Sequence, residues 1–158
     1  MQWHAQWITE SWQRDAHPLL GAHLAFRRDY QVAAQPIAAE LAITASAQYF
    51  LWINGAFVAS GPARCYPQQQ IYDRIDITNA LVLGANAFAV IVQKPTGITG
   101  YSLLHRMGLL IDGVIAYQDT TIPVRTDATW LVRDADWYLA TPYLCTIPLG
   151  FQEHVDGA

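Results

Sequence analysis

Between Leu51 and Thr78 the chain reads LWINGAFVASGPARCYPQQQIYDRIDIT, and few folds accommodate that order of signals. An apolar run from Tyr49 to Ile53 meets Asn54-Gly55, and Ala56 to Ala59 returns. A type I′ turn needs positive φ at both central residues, and Asn-Gly supplies it at the least steric cost. A polar loop, Gly61 to Gln70, follows with two prolines, an arginine, a cysteine and three consecutive glutamines. Ile71 to Ile77 then alternates with period two, so Tyr72, Arg74 and Asp76 share one face of a strand. A tight hairpin, a long polar loop and an amphipathic strand in that order point to an all-β domain.

The rest of the chain keeps this rhythm. Leu24 to Val32 reads as a strand, and Ile37, Ala39, Leu41 and Ile43 mark the next. Thr78 to Leu81 reads as a short helical or 3₁₀ turn ended by Gly84. Asn86 to Gln93, NAFAVIVQ, is apolar on both faces and predicts a buried central strand. Met107–Ile111 and Val114–Tyr117 flank Asp112-Gly113, which predicts a second hairpin. Thr121–Arg125 and Trp130–Arg133 complete the set. Turn chemistry separates these runs and no 3.6-residue period intervenes, so the expected architecture is an antiparallel β-sandwich.

Composition bounds the function. A chain of 158 residues with 53% hydrophobic and 14% charged residues is not disordered, and so apolar a chain is expected to have part of its surface covered by a partner. Thirteen acidic residues against nine basic ones give a net charge of −4 and no basic stripe for nucleic acid. No apolar run reaches the roughly 20 residues of a membrane helix. The opening MQWHAQWITESW lacks the charge and apolar core of a signal peptide, so a cytoplasmic location and reduced Cys65 and Cys145 are expected. The expected organisation is an N-terminal segment (1–22) packing its tryptophans on the sandwich, the sandwich itself (23–140), and an extended linker (141–158) toward a further domain.

Five passages make the chain resemble the N-terminal β-sandwich module of bacterial α-L-rhamnosidases. They are Phe26-Arg27-Arg28-Asp29-Tyr30; Leu41 to Ala45 with Tyr49 to Gly55; Tyr72-Asp73 through Asp76-Ile77-Thr78 to Leu81, Gly84 and Asn86-Ala87; Thr126-Asp127 with Trp130; and Glu153 to Ala158. The chain departs from the family at Lys94 to Arg106, at Gly61-Pro62-Ala63-Arg64 and at Val155. Galactose-binding-like modules of β-galactosidases, jelly-roll sandwiches too, share a similar Asn-Gly and Asp-Ile-Thr grammar. In rhamnosidases the catalytic acid and base sit on a separate α/α-barrel, so the resemblance implies an accessory module whose partners are the other domains of its parent.

The residues themselves offer little catalysis. Glycoside hydrolysis needs two carboxyl groups across one sugar. Glu10, Glu40 and Glu153 are the only glutamates, and Asp73 and Asp76 are three apart on a strand, facing opposite ways. Ser102, His105 and Asp112 lack a nucleophile-elbow context. Sugar binding is better served: aromatic rings stack on C–H groups while planar polar groups fix hydroxyls. The candidate binding residues are Arg64, Tyr66, Gln70, Tyr72, Asp73 and Tyr101; Trp52 is read as core, and Arg64 with Asp73 as a surface ion pair pinning the loop. Asp73, Asp76 and Asn79 are the oxygens available to a structural calcium. Two readings stand: a docking scaffold of a multidomain glycosidase, with loop 94–106 rimming the active site, or an autonomous carbohydrate-binding module.

Overall fold

The computed structural model describes residues 2–9, 22–66, 68–94, 107–139, 144–146, 150–151 and 154–156. In chain order its main strands are β1 (Ala22–Val32), β2 (Ala38–Ala45), β3 (Gln48–Ile53), β4 (Ala56–Gly61), β5 (Asp73–Asp76), β6 (Gly84–Lys94), β7 (Leu109–Ala116), β8 (Thr121–Arg125) and β9 (Leu131–Asp134). They form a five-stranded sheet, β4-β3-β6-β1-β9, and a four-stranded sheet, β5-β2-β7-β8, with every pairing antiparallel. The expected antiparallel β-sandwich is what forms. Alternate residues of both sheets meet in one core: Phe26, Tyr49 and Phe88 from the first, Leu41, Ile111 and Val124 from the second.

Local chemistry explains the corners. Asn54 (φ 53°) and Gly55 (φ 79°) make the β3–β4 turn in the left-handed region. The Asn54 amide donates to Asn86 Oδ1 at 2.9 Å and accepts from the Ala87 N–H at 3.0 Å. Fully buried Asn86 in turn donates to the Val82 carbonyl at 2.7 Å, so two side-chain amides lock the hairpin tip to the start of β6. Asp76 accepts from the Thr78 N–H and hydroxyl, which opens the 3₁₀ turn at Thr78–Ala80, and those bonds hold its carboxyl below the usual range.

Three expectations need correction. Asp112-Gly113 is not a turn: β7 runs straight through it. Asp112 is buried and accepts from Arg125 Nε on β8 at 3.0 Å and from the His4 N–H at 2.6 Å. Gly113 is needed because β2 passes so close that a Cβ there would stand 2.5 Å from the Glu40 carbonyl oxygen. Trp52 is not core: its neighbours Leu51 and Ile53 point inward, so it lies half-buried on the outer face of the five-stranded sheet. Strand β6 is central as expected but buries one face only, with Phe88, Val90 and Val92 inward and Ala87, Ala89 and Ile91 half-covered.

The N-terminal segment straps onto the sandwich. Ile8 exchanges backbone hydrogen bonds with Leu109, and Gln6 donates to the Thr126 carbonyl. The Thr126 hydroxyl donates to the Gln6 carbonyl at 2.7 Å and accepts from the Ile111 N–H at 3.1 Å. Trp3 meets Tyr72 edge-on at 5.4 Å, whereas Trp7 is half exposed and Trp12 lies outside the described residues. The described residues beyond 141 pair into short ladders: β10 (Tyr138–Leu139) with β13 (His154–Val155), and β11 (Leu144–Thr146) with β12 (Gly150–Phe151).

One corner carries a pH dependence. The His23 ring stacks on Tyr138 at 4.0 Å, and burial lowers its pKa to about 4 from 6.5. A histidine with a depressed folded pKa carries almost no protonation penalty at neutral pH. As pH falls from about 6.5 to about 4, the unfolded chain takes the proton first and stability drops. The expected loss is on the order of 2 kcal/mol once partial solvent screening is allowed for. Thermal melts at pH 7.5 and 4.5 should differ less for His23→Gln than for the natural chain; equal acid sensitivity would refute this.

Candidate functional site

The six sequence-nominated binding residues divide into three groups. Gln70 looks inward: its amide donates to the Ala45 carbonyl at 2.7 Å and the Thr44 hydroxyl at 3.0 Å, while that hydroxyl donates to the Ile71 carbonyl. It ties the end of the long loop to β2. Asp73 is likewise engaged, since its carboxylate accepts from the Tyr49 hydroxyl at 2.6 Å. The expected Arg64–Asp73 ion pair is therefore replaced by a tyrosine–aspartate bond between β3 and β5. Burial, followed by that hydrogen bond, pushes the Tyr49 hydroxyl well above the usual tyrosine range.

Arg64 and Tyr66 stay outward on the loop, Tyr66 with 66% exposure and its carbonyl accepting from the Gln69 N–H. Tyr72 is 38% exposed with one edge on Trp3. Arg64, Tyr66 and Tyr72 are thus the nominated groups on the 62–72 loop that remain presented to solvent. Tyr101, like the rest of 95–106, lies outside the described residues. Cys65 carries a free thiol.

The described carboxylates of this region are committed to structural bonds. Asp73 is held by Tyr49, Asp76 by Thr78, and Glu40 pairs with Arg74 at 2.5 Å, so each carboxylate has a structural partner. Of the oxygens nominated for calcium, those of Asp73 and Asp76 accept from Tyr49 and Thr78. Among the described residues no three His, Cys, Asp or Glu side chains come within reach of one ion. No helix of the described residues is long and apolar enough to cross a membrane.

The Thr-Asp-Xaa-Xaa-Trp passage proves to be a structural corner. Asp127 accepts from Arg28 at 2.6 Å and from the Thr129 hydroxyl and N–H; the Thr129 hydroxyl leads in holding its carboxyl below the usual range. Arg28 lies over the Tyr30 ring at 5.0 Å, and Trp130 Nε1 donates to the Arg125 carbonyl at 2.8 Å. The motif joins β8 and β9 to β1.

What the sequence reading missed is an aromatic row on the outer face of the five-stranded sheet. Trp52 sits against Phe57 on β4 at 5.8 Å and against Phe50 at 6.2 Å. Strand parity was the available signal, because residues two apart from Trp52 share its face.

Tyr49→Phe tests the tyrosine–aspartate link between β3 and β5. Losing the donor leaves Asp73 without its partner, and a bond to a charged group contributes about 1.5–3 kcal/mol. A fall of that size in urea denaturation is expected with the fold retained; no change in midpoint would mean solvent fully replaces the bond.

These features define a class first: a β-sandwich module with structurally committed carboxylates and exposed aromatic surface. Solved structures place it more closely. The chain is similar to a GH78 family rhamnosidase of Bacillus sp. GL1, with 29% identity and a TM-score of 0.78 over 99% of this chain but 16% of that one. It is similar to the α-L-rhamnosidase of Dictyoglumus thermophilum at 21% identity and a TM-score of 0.66, over 88% of this chain and 17% of that one. A Pleurotus ostreatus lectin solved in complex with GalNAc matches at 25% identity and a TM-score of 0.55, covering 94% of this chain and 37% of the lectin. No family model and no curated protein matches the chain. The resemblance to a rhamnosidase module, first carried by short motifs, therefore holds for the three-dimensional structure, and the chain spans about one sixth of the rhamnosidases it matches.

Proposed function

We propose that the chain is a non-catalytic accessory module of an α-L-rhamnosidase-type glycoside hydrolase, supporting a catalytic domain that lies elsewhere in the same protein. The observation that carries this reading is the match over 99% of the chain to 16% of the Bacillus sp. GL1 rhamnosidase. The engagement of Asp73, Asp76 and Glu40 in structural bonds agrees with it. In this role the sandwich contributes rigidity and a docking surface. The test is hydrolysis of an aryl α-L-rhamnoside: the whole gene product should turn it over, and residues 1–158 alone should not. Turnover by the 158-residue chain, abolished by one carboxylate substitution, would overturn the reading.

The likeness to the lectin solved with GalNAc favours a second reading, an autonomous carbohydrate-binding module. Arg64, Tyr66, Tyr72 and Tyr101 would then be the contacts, with Gln70 and Asp73 shaping the loop. An NMR titration with L-rhamnose, D-galactose and N-acetylgalactosamine decides it: saturable shifts on residues 64–73 establish binding, and a silent spectrum at high millimolar sugar leaves the scaffold.

A further inference from the structure

The two outer faces of the sandwich are treated differently. Over the four-stranded sheet, the 2–9 strap and the end of the long loop lie against β7 and β2, so Ala42, Thr44, Leu110 and Asp112 are buried although their parity points away from the core. Over the five-stranded sheet the corresponding positions are half-buried or exposed. Cross-strand pairing puts Phe57, Trp52, Ala89, Arg27 and Leu131 in one row, with Phe50, Ile91 and Ala25 in the next. Phe57 is 59% exposed and Leu131 71%.

Charge sharpens the contrast. Strands β3, β4 and β6 as far as Gln93 contain no Asp, Glu, Lys or Arg. The charges of this face lie at its other side, where Arg27 pairs with Asp29 at 3.3 Å and Arg133 lies over the Trp137 ring at 4.8 Å. A solvent-facing antiparallel sheet ordinarily alternates apolar-in with polar-out. An edge strand facing water ordinarily carries Lys, Pro or an inward charge against unwanted pairing. Strand β4 is an edge with none of these, only a register shift opposite Leu51 and Trp52. Depletion of charge around a cluster of aromatic residues is the composition of an interface centre.

We propose that the β4–β3–β6 half of this face is the docking surface for a neighbouring domain of the same polypeptide, seated on Phe50, Trp52 and Phe57. The inference rests on the accessory-module reading and adds the face and its central residues. The occupant follows from length: rhamnosidases similar to this chain are about six times longer, so the module has companions in covalent reach. A tethered neighbour needs a smaller apolar contact than a free partner, because the linker already holds it at high local concentration.

The experiment is hydroxyl-radical footprinting of the whole natural gene product, read by mass spectrometry at Phe50, Trp52 and Phe57 relative to the urea-unfolded protein. Loss of labelling at Phe57 and Trp52 that persists on dilution is expected, and Phe57→Asp should restore labelling at Trp52. Labelling of Phe57 at the rate of a 59% exposed ring would overturn the proposal. Protection that disappears on dilution would also overturn it, giving the face to a second copy of the chain. Rhamnoside hydrolysis by the same sample separates the two claims. A protected face without hydrolysis sinks the glycosidase reading and leaves the docking surface, whereas hydrolysis with a labelled face does the reverse.

Discussion

Gly113→Ala is expected to destabilise the fold by about 3 kcal/mol, toward the upper end of what forced overpacking costs. The added Cβ would stand 2.5 Å from the Glu40 carbonyl oxygen, 2.6 Å from Leu41 Cδ2 and 3.1 Å from Leu41 Cα. Two of those atoms are backbone, so no rotamer change relieves the clash and β2 must move away from β7. That movement would disturb Leu41, which is fully buried. Against it stands the entropic gain of replacing glycine, roughly 0.4–1 kcal/mol, which is too small to compensate. A chain of this size loses about 2–4 °C of melting temperature per kcal/mol, so a thermal melt should fall by about 6–12 °C. A shift under about 2 °C would mean the strands separate without penalty.

The second large effect lies on the opposite sheet. Phe88 is fully buried in β6, the central strand, with its ring edge-on to Tyr30 at 5.1 Å. Phe88→Ala removes the side chain from a layer built by β1, β3 and β6 and is expected to cost about 3–5 kcal/mol. Ala89→Ser, one position along on the outer face, should change stability by under about 1 kcal/mol, since that site is only half-covered. Similar losses from both substitutions would show that the outer face is packed as tightly as the core.

The parts of this fold written in local chemistry were legible. Asn54-Gly55 announces its turn, Thr121–Arg125 its strand, and Thr78 to Ala80 its 3₁₀ turn, because each depends on residues a few positions apart. Asp112-Gly113 misled for the same reason. The dipeptide carries the turn signature, yet its aspartate is satisfied by His4 and Arg125 and its glycine is required by Leu41, none of them a local neighbour. Gln70 likewise has the chemistry of a sugar contact, and only the position of β2 shows that its amide is already used. Trp52 could have been placed by parity alone, but a tryptophan in an apolar run invites a core assignment. Arg64, Tyr66 and Tyr72 kept the exposure a binding role requires, because the hydrogen bonds that fasten the end of the 62–72 loop come from Gln70 and Asp73.

The strap at residues 2–9 also sets a timetable. Its first bonds join His4 to Asp112 and Gln6 to Thr126, spanning 108 and 120 positions. A ribosome adding about 5–20 residues per second takes on the order of ten seconds to bridge that gap. Throughout that interval the strap has neither Asp112 nor Thr126 to bind. Closure of the four-stranded sheet is therefore a late, long-range step, the kind that slows folding at a given stability. The strap is made well before its partners and is among the last segments to find its place.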